Sequence, residues 1–414
     1  MQAVILAAGK GVRLEPFTAT QPKHMIPLAG KPLICWVLDA VQDVGINDVI
    51  VVTSYMEERI RSYLKSHPPK GVDLRFITQG KLPGTAKALE CASESLASGD
   101  FLVLYGDIVT SGKTLSQLCK SHQVSRQPSM LLANADDPSR YGVVELDGET
   151  VRRILEKPLP GETSSNLVNA GAYILSPEVF PYLRKTRRSK RGEYELTDTL
   201  QSYIDDGHTV QACIDNKNDW LDVGHLWNLL DANSILLSRH EASVMGVVEP
   251  GATLLGSIVL ESGARVRSGS YIEGPAYIGS ESDIGPNCYI RPSTSIGSRV
   301  RIGNGCEVKN SIVMDDTHIA HLSYVGDSVI GSRCNLGAGT TIANLRFDRK
   351  SIKVGEGEVR LDSRKTKLGV FMGDEVQTGV NVSTMPGVRI GTGSWIGPGL
   401  VVQKDVPPKA VLRV

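Results

Sequence analysis

Between Leu254 and Val308 an aliphatic residue recurs at every sixth position: Leu254, Leu260, Val266, Ile272, Ile278, Ile284, Ile290, Ile296, Ile302 and Val308. That period belongs neither to a helix nor to a strand. It suits a coil with three flat sides, each side sending one aliphatic residue inward to stack on the coils above and below. Glycine follows at 279, 285, 297 and 303, and small residues precede by two at Ala276, Ser282, Cys288, Thr294 and Cys306, where corners are expected. The ladder resumes at Ile330, Leu336 and Ile342, breaks over a charged stretch from Leu345 to Lys367, and is expected to continue at Val370, Val376, Val382, Ile390, Ile396 and Val402. A stretch too polar for a coil must protrude, and such excursions commonly border active sites.

The N-terminal half has another rhythm. The apolar runs VILAA, VIVVT, LRFIT and FLVLY alternate with helical patterns over 32–44, 57–66 and 85–96. This order predicts an α/β domain with a mainly parallel sheet covered on both faces and ligands at the carboxyl ends of its strands. A helical pattern over 225–240 follows. The expected organisation of the 414 residues is therefore a domain over 1–224, a linker helix over 225–243 and a coil over 244–414.

Lys plus Arg and Asp plus Glu are equal at 45 each, so no global field favours nucleic acid or an anionic membrane. No apolar run approaches the roughly 20 residues that span a bilayer, and the chain opens on a strand pattern instead of a charged leader, which predicts a cytoplasmic protein. The seven cysteines are scattered without a CxxC, as reduced packing residues are, and no zinc site is expected. The basic run Arg184–Arg191 reads as a solvated loop, or else as a phosphate-facing stretch.

The first strand ends in Gly9-Lys10-Gly11-Val12-Arg13, and PKHMIPLAGKPL begins at Pro22. Two close glycines let backbone amides wrap an anion, and Arg13 and Lys23 add positive charge, so a nucleoside triphosphate fits. The third glycine of the dinucleotide fingerprint and the Gly-Lys-Ser/Thr of a Walker loop are both missing. Asp107 follows FLVLY and Asp222 lies in WLDVG; two carboxylates beside a triphosphate grip suit Mg2+, a hard cation that prefers oxygen ligands.

The longer string LAAGKGVRLEPFT…PKHMIPLAGKPL resembles the signature of sugar-1-phosphate nucleotidylyltransferases, which have a Rossmann-like nucleotidyltransferase domain. The resemblance implies that Asp107 and Asp222 hold Mg2+ and that Arg13 and Lys23 are catalytic. Leu6, Ala8, Gly9, Gly11, Gln79, Gly84 and Thr85 would bind the nucleotide, UTP or dTTP. Gly142, Glu156, Lys157 and Asn169, in YGVV, EKP and NAGAY, would bind the sugar-1-phosphate. Bacterial bifunctional enzymes have Asn where Asp222 stands, whereas glucose-1-phosphate thymidylyl- and uridylyltransferases have Asp.

In the coil, His321-Leu-Ser-Tyr324, Asn335-Leu-Gly337-Ala338-Gly339 and Asn344 resemble the acetyltransferase half of the bifunctional N-acetylglucosamine-1-phosphate uridylyltransferase family. That family has a left-handed β-helix of hexapeptide repeats and forms trimers. The resemblance implies His321 as the general base, with Arg291 and Lys309 on the sugar phosphate. It places Tyr324, Asn335 and Asn344 on the amine, and Gly337 with Ala338 at the oxyanion and acetyl-CoA. Lys350, Lys365 and Lys367 would meet the CoA phosphates. The Tyr-Asp that follows the last Asn in the bacterial enzymes is Leu345-Arg346 here.

The resemblance spans nearly the whole chain and is strongest to archaeal-type bifunctional enzymes, implying synthesis of UDP-N-acetylglucosamine. An alternative leaves only the head active, with the coil oligomerising or regulating, as in ADP-glucose and GDP-mannose pyrophosphorylases. Exchange-factor subunits of translation initiation share the plan but dispense with the catalytic set, whereas Arg13, Lys23, Asp107 and Asp222 are all kept here.

Overall fold

Alternate residues of the first strand belong to two different cores. Ala3, Ile5 and Ala7 pack in one with Val49 and Val51, and Val4 and Leu6 pack in the other with Ile50 and Val52. Side chains of a strand point to opposite faces in turn, so these strands are buried on both sides and read as continuous apolar runs. The structure is a computed structural model describing residues 1–414 apart from 160, 217–218, 356–359 and 414.

Strands Asp73–Thr78, Asp48–Thr53, Gln2–Ala7 and Phe101–Tyr105 lie side by side and parallel. Beyond them Leu167–Leu175 runs antiparallel to Phe101–Tyr105, making the nine-stranded sheet mixed. Helices Leu33–Gln42 and Glu57–Ser66 fall where the periodicity puts them; the third stops at Cys91 and passes through a tighter turn, Ser93–Ser95. Leu6 pairs with Tyr105, and Gly106 N donates to Leu6 O at 2.9 Å, so the Gly9 loop and Asp107 leave the same end of the sheet.

The second half is a left-handed β-helix whose three sides are sheets of eight, nine and eight strands among the described residues. Leu254, Ile272, Ile290 and Val308 stack in register, one coil apart. The ladder continues without a gap through Val313, Ile319 and Val325, because two steps, Val308 to Val313 and Val325 to Ile330, are one residue short. Residues with left-handed backbone, such as Glu281 (φ 58), Asn287 (φ 56) and Arg299 (φ 55), turn the corners. The glycines after the core residues have a steric role instead: a Cβ on Gly303 would run into the Ala320 carbonyl of the next coil.

After the excursion the register differs from the sequence reading. Ile330 stacks on Met372, and Gln377-Thr378 and Ser383-Thr384 pair with the coils on either side, so Met372, Thr378 and Thr384 take the inward positions expected of Val370, Val376 and Val382. Those valines are buried at the preceding corners. Threonine is tolerated inside because Thr378 Oγ1 accepts from Gly337 N at 2.9 Å. The excursion carries the antiparallel pair Lys353–Val354 and Leu361–Asp362; residues 356–359 lie outside the description.

The chain divides into two compact units, Met1–Lys10 with Pro22–Met25 and Leu33–Val223, and Gly11–Gln21 with Ile26–Pro32 and Gly224–Val414. Two short N-terminal segments thus depart from the expected 1–224 domain and pack in the second unit. There Phe17 is buried, Thr20 Oγ1 donates to Asp374 Oδ2 at 2.8 Å, and Ala29 N donates to Asn233 Oδ1 at 2.9 Å. Helix Leu226–Leu237, expected as a linker, is also part of this unit, with Ser295 Oγ donating to Asn233 Oδ1 at 2.7 Å. The side of the coil that carries Ser295 has outward residues, Val259, Ile312, Val329 and Phe371, that are apolar and buried.

Candidate active sites

Lys23 stands in the short turn Lys23–Met25, and its ammonium is ion-paired with the Asp107 carboxylate. Burial raises the Asp107 carboxyl, but the Lys23 charge, the neighbouring His24 and hydrogen bonds more than offset it, leaving the group below the ordinary carboxylate range. A Cβ on Gly9 would lie 3.4 Å from Lys23 Cε and Nζ, so glycine keeps the backbone close to the lysine tip. His24 is fully buried and neither ring nitrogen has a hydrogen-bond partner; burial and then the Lys23 charge push its pKa down to about 3. The ring packs under Gly106, where a Cβ would come within 2.9 Å of His24 Cδ2, so the Tyr-Gly-Asp turn has no space for a side chain.

Asp222 is brought to Asp107 by a short antiparallel ladder: Asp222 faces Ile108, and Val223 N donates to Asp107 O at 2.9 Å. The local donor set is carboxylate oxygen. Among the described residues no three His, Cys, Asp or Glu converge, so a cation held by the two aspartates would complete its shell from phosphate and water, as Mg2+ commonly does. In donor type, two carboxylates on adjoining backbone, the residues present suit that ion.

The nucleotide residues are differently placed. Leu6 is buried and Gly9 is exposed in the first unit; Gly11 (φ 72) and exposed Arg13, on the turn Val12–Leu14, belong to the second. Gln79 Nε2 donates to Leu82 O and Gly84 O at 2.8 and 3.2 Å, which closes its own loop. Gly84 (φ 111) has no room for a Cβ against the Tyr194 backbone, and Thr85 Oγ1 accepts from Leu196 N at 2.9 Å. Both residues therefore anchor the 194–196 segment, a role the motif does not reveal.

Gly142, Glu156 and Asn169 do converge. Gly142 pairs with Glu156 in register, and a Cβ on it would lie 3.0 Å from Glu156 Oε2 and 3.6 Å from Asn169 Cβ. Asn169 Oδ1 accepts from Tyr173 Oη at 2.7 Å, and Lys157 follows with a left-handed backbone (φ 48). Arg191, from the run read as a solvated loop, donates to Glu156 Oε1 at 3.0 Å and Glu195 Oε1 at 3.2 Å. The basic run marked this arginine only as a cation; that its partners are two acids, one of them 35 positions away, had no signal in sequence.

Glu195 is buried, and burial, followed by the Glu156 charge, pushes its carboxyl from the ordinary 4.5 to about 7, with Arg191 opposing. Between those two pH values the folded chain holds a proton that the unfolded chain has lost, so the stability contributed by this group falls as pH rises through 7. Glu195→Gln is expected to gain on the wild type by on the order of 2 kcal/mol between pH 5 and pH 8 in urea unfolding. A gain independent of pH would exclude Glu195 as the titrating group.

In the coil, Lys309, Tyr324 and Asn344 form one network: Asn344 Nδ2 donates to Tyr324 Oη at 3.0 Å and to the buried Asp327, and Lys309 Nζ pairs with Asp327 Oδ2 at 3.0 Å. Arg291 joins from the coil before, donating to Glu307 Oε1 at 3.0 Å, and Glu307 pairs with Tyr324 in register. His321 is exposed at the end of strand His318–His321, its carbonyl accepting from Gly339 N at 3.1 Å and Ser323 Oγ at 2.7 Å. Asn335 stands apart from this network, on the neighbouring side in register with His318.

The turn over Gly337–Gly339 differs from its expected use. Gly337 N donates to Thr378 O and Oγ1, and Gly339 N donates to His321 O, so both amides hold the coil and are spent. An oxyanion role therefore narrows from Gly337 and Ala338 to Ala338 N.

Residues 2–239 match the family model for nucleotidyl transferases, 272–383 the GMPPB C-terminal domain, and 370–404 the hexapeptide repeat of succinyl-transferase. The bifunctional protein GlmU of Methanococcus maripaludis is 42% identical, covering 98% of this chain and 95% of its own length. That of Methanocaldococcus jannaschii is 40% identical, covering 98% and 96%. The bifunctional sugar-1-phosphate nucleotidylyltransferase/acetyltransferase of Sulfurisphaera tokodaii is 41% identical and covers 98% of both. A crystal structure of UDP-glucose pyrophosphorylase with UDP-glucose matches 58% of this chain and 99% of its own at a TM-score of 0.52 and 23% identity, a likeness of fold. Among the described residues no helix is long and apolar enough to cross a membrane.

Proposed function

We propose that this chain, which belongs to the family of bifunctional sugar-1-phosphate nucleotidylyltransferase/acetyltransferases, makes UDP-N-acetylglucosamine. Membership makes it an enzyme of nucleotidyl and acyl transfer. In our reading the coil N-acetylates glucosamine-1-phosphate with acetyl-CoA, and the head then joins the product to UTP, since the product of one site serves the other. The observation that carries this is the network in which Lys309 and Asn344 meet the buried Asp327 carboxylate and Asn344 meets Tyr324, three residues after an exposed His321, which a mere scaffold does not need.

In the head, a phosphate oxygen of the sugar-1-phosphate attacks the α-phosphorus of the nucleotide and pyrophosphate leaves. The attacking phosphate is already ionised near neutral pH, so positioning and charge neutralisation do the work and no general base is required. Lys23, held by Asp107 and close to Gly9, is the side chain we assign to the α-phosphate. The family motif gives Arg13 the leaving phosphates. Mg2+ on Asp107 and Asp222 would supply neutralisation of the phosphates. Gly142, Glu156, Lys157 and Asn169 take the sugar.

In the coil, the amine must present a free lone pair to the thioester. His321 accepts its proton as it attacks, and Ala338 N is the amide we assign to the tetrahedral oxyanion. Arg291 and Lys309 hold the 1-phosphate, and Tyr324 and Asn344 orient the amine. We assign the assembly as a homotrimer, each narrow coil burying flat sides against its neighbours, and the compartment as the cytoplasm.

The match of 272–383 to the GMPPB C-terminal domain favours a second reading, a head-only transferase with a non-catalytic coil. A matrix of UTP and dTTP against glucose-, glucosamine- and N-acetylglucosamine-1-phosphate, with acetyl-CoA, decides between them. Pyrophosphate and CoA are scored separately. CoA release with glucosamine-1-phosphate is expected; none with any amino-sugar phosphate establishes the second reading.

A further inference from the structure

One corner of the coil is unlike the others. At it the two short steps, Val308 to Val313 and Val325 to Ile330, lie on successive coils, and the charged excursion leaves from the same corner one coil later, between Ile342 and Met372. The missing residues tighten this corner, where Asn310 (φ 43) and Asp327 (φ 51) turn with left-handed backbone.

Asp327 is only 3% exposed, and its carboxylate gathers three donors from the coils on either side. Lys309 Nζ lies 3.0 and 3.3 Å from Oδ2 and Oδ1, Asn310 Nδ2 donates to Oδ1 at 2.8 Å, and Asn344 Nδ2 donates to Oδ2. Its backbone is pinned as well, Asp327 N donating to Lys309 O at 2.9 Å and Asp327 O accepting from Gly369 N at 2.7 Å where the excursion returns. A buried carboxylate with this many donors is costly unless they are fixed, and fixing them is what it achieves.

The chemistry of the pair decides which end of Asn344 meets a substrate. A carboxylate only accepts, so it takes the NH2 end of the Asn344 amide, and Tyr324 Oη accepts from the same nitrogen. Asn344 Oδ1 is thereby the accepting end that the pair leaves unused. An acceptor there suits an amine, whose N–H it receives while the lone pair points at an acyl carbon.

We propose that Asp327 is a positioning residue for acyl transfer: it locks the Lys309 ammonium and the Asn344 amide in one arrangement, so that one buried side chain aligns both the phosphate and the amine of an amino-sugar-1-phosphate. The inference rests on the acyl-transfer reading above and gives a role to a residue to which that reading assigns none.

Asp327→Asn keeps the shape but removes the charge that pairs with Lys309 and puts a donor in place of one of the two oxygens that Lys309, Asn310 and Asn344 share. CoA release from acetyl-CoA and glucosamine-1-phosphate is expected to fall about 10²-fold in kcat/KM, the scale of a misplaced reacting group. The loss should divide between a raised KM for the sugar phosphate, through Lys309, and a lowered kcat, through Asn344. Pyrophosphate release by the same preparation, from UTP and N-acetylglucosamine-1-phosphate, should stay at the wild-type value. The exchange D327N/N344D restores one acid and one amide to the pair and again leaves an accepting oxygen at position 344 unused by it, so it should recover at least tenfold of the lost rate.

Wild-type CoA release with an unchanged Asp327→Asn variant overturns this inference and leaves the acyl-transfer reading standing. Absence of CoA release in the wild type overturns both. Should Asp327→Asn lose pyrophosphate release too, the exchanged pair decides: no recovery in a variant that keeps pyrophosphate release sinks the positioning role.

Discussion

His321→Ala is expected to abolish CoA release with glucosamine-1-phosphate, by about 10²- to 10⁴-fold, and to leave pyrophosphate release by the same protein untouched. The magnitude is that of a positioned general base, since an amine attacking a thioester must shed a proton as the bond forms. Structure makes the experiment clean. The imidazole is exposed, while the bonds that fix this corner, from Gly339 N and Ser323 Oγ, go to the backbone carbonyl and survive truncation to alanine. Exposed positions away from packing tolerate substitution within roughly 0.5 kcal/mol, so a lost rate cannot be ascribed to unfolding. His318 is exposed on the same strand, in register with Arg301 and Asn335 and three residues further from Tyr324 than His321 is, so His318→Ala should retain CoA release. Equal losses in the two variants would remove His321 from its role. The head supplies an internal standard, because both activities sit on one polypeptide and a general fault of folding would lower both.

The features legible in the sequence are those whose physics is local and repetitive. An inward aliphatic residue every six positions leaves no choice but a three-sided coil, and Leu254 to Val308 stack as that period requires. The period fails where a single residue is dropped, because a five-residue step between Val308 and Val313 looks like the end of the repeat when only strict spacing is followed. It fails again at Thr378 and Thr384, where polarity suggests a corner although the hydroxyl of Thr378 is satisfied by Gly337 N. Motif residues were legible by resemblance, yet their local duties were not: Gly84 and Thr85 hold the 194–196 segment, and the Gly337 amide holds the coil. Asp327 and Arg191 lay beyond reach for a different reason. Each is an ordinary charged residue in sequence, and only the folded chain brings its partners, Asn344 for one and Glu156 for the other, from 17 and 35 positions away.

Asp107→Asn should do to the head what His321→Ala does to the coil, lowering pyrophosphate release by on the order of 10³-fold while CoA release persists. A single carboxylate does two things here that an amide of the same shape cannot. It balances the Lys23 ammonium, with which it is ion-paired at 17% and 15% side-chain exposure, and it is the oxygen donor we assign, with Asp222 of the adjoining ladder, to the divalent ion. Removing a preorganised charge from a partly dehydrated site costs about 10² to 10³ in rate by itself, and losing the ligand proposed for a divalent ion would add to that. The fold has less at stake: Asn keeps the volume, and Val223 N still donates to the backbone carbonyl at position 107. A stability cost of about 1 to 3 kcal/mol is expected, the worth of a charged hydrogen bond. Raising Mg2+ should not restore the rate, because a higher ion concentration cannot replace the counter-charge that orients Lys23. Wild-type pyrophosphate release by Asp107→Asn would mean that the carboxylate neither holds the lysine for catalysis nor binds an ion that matters, and the assignment of the nucleotidyl-transfer site to this turn would have to be given up.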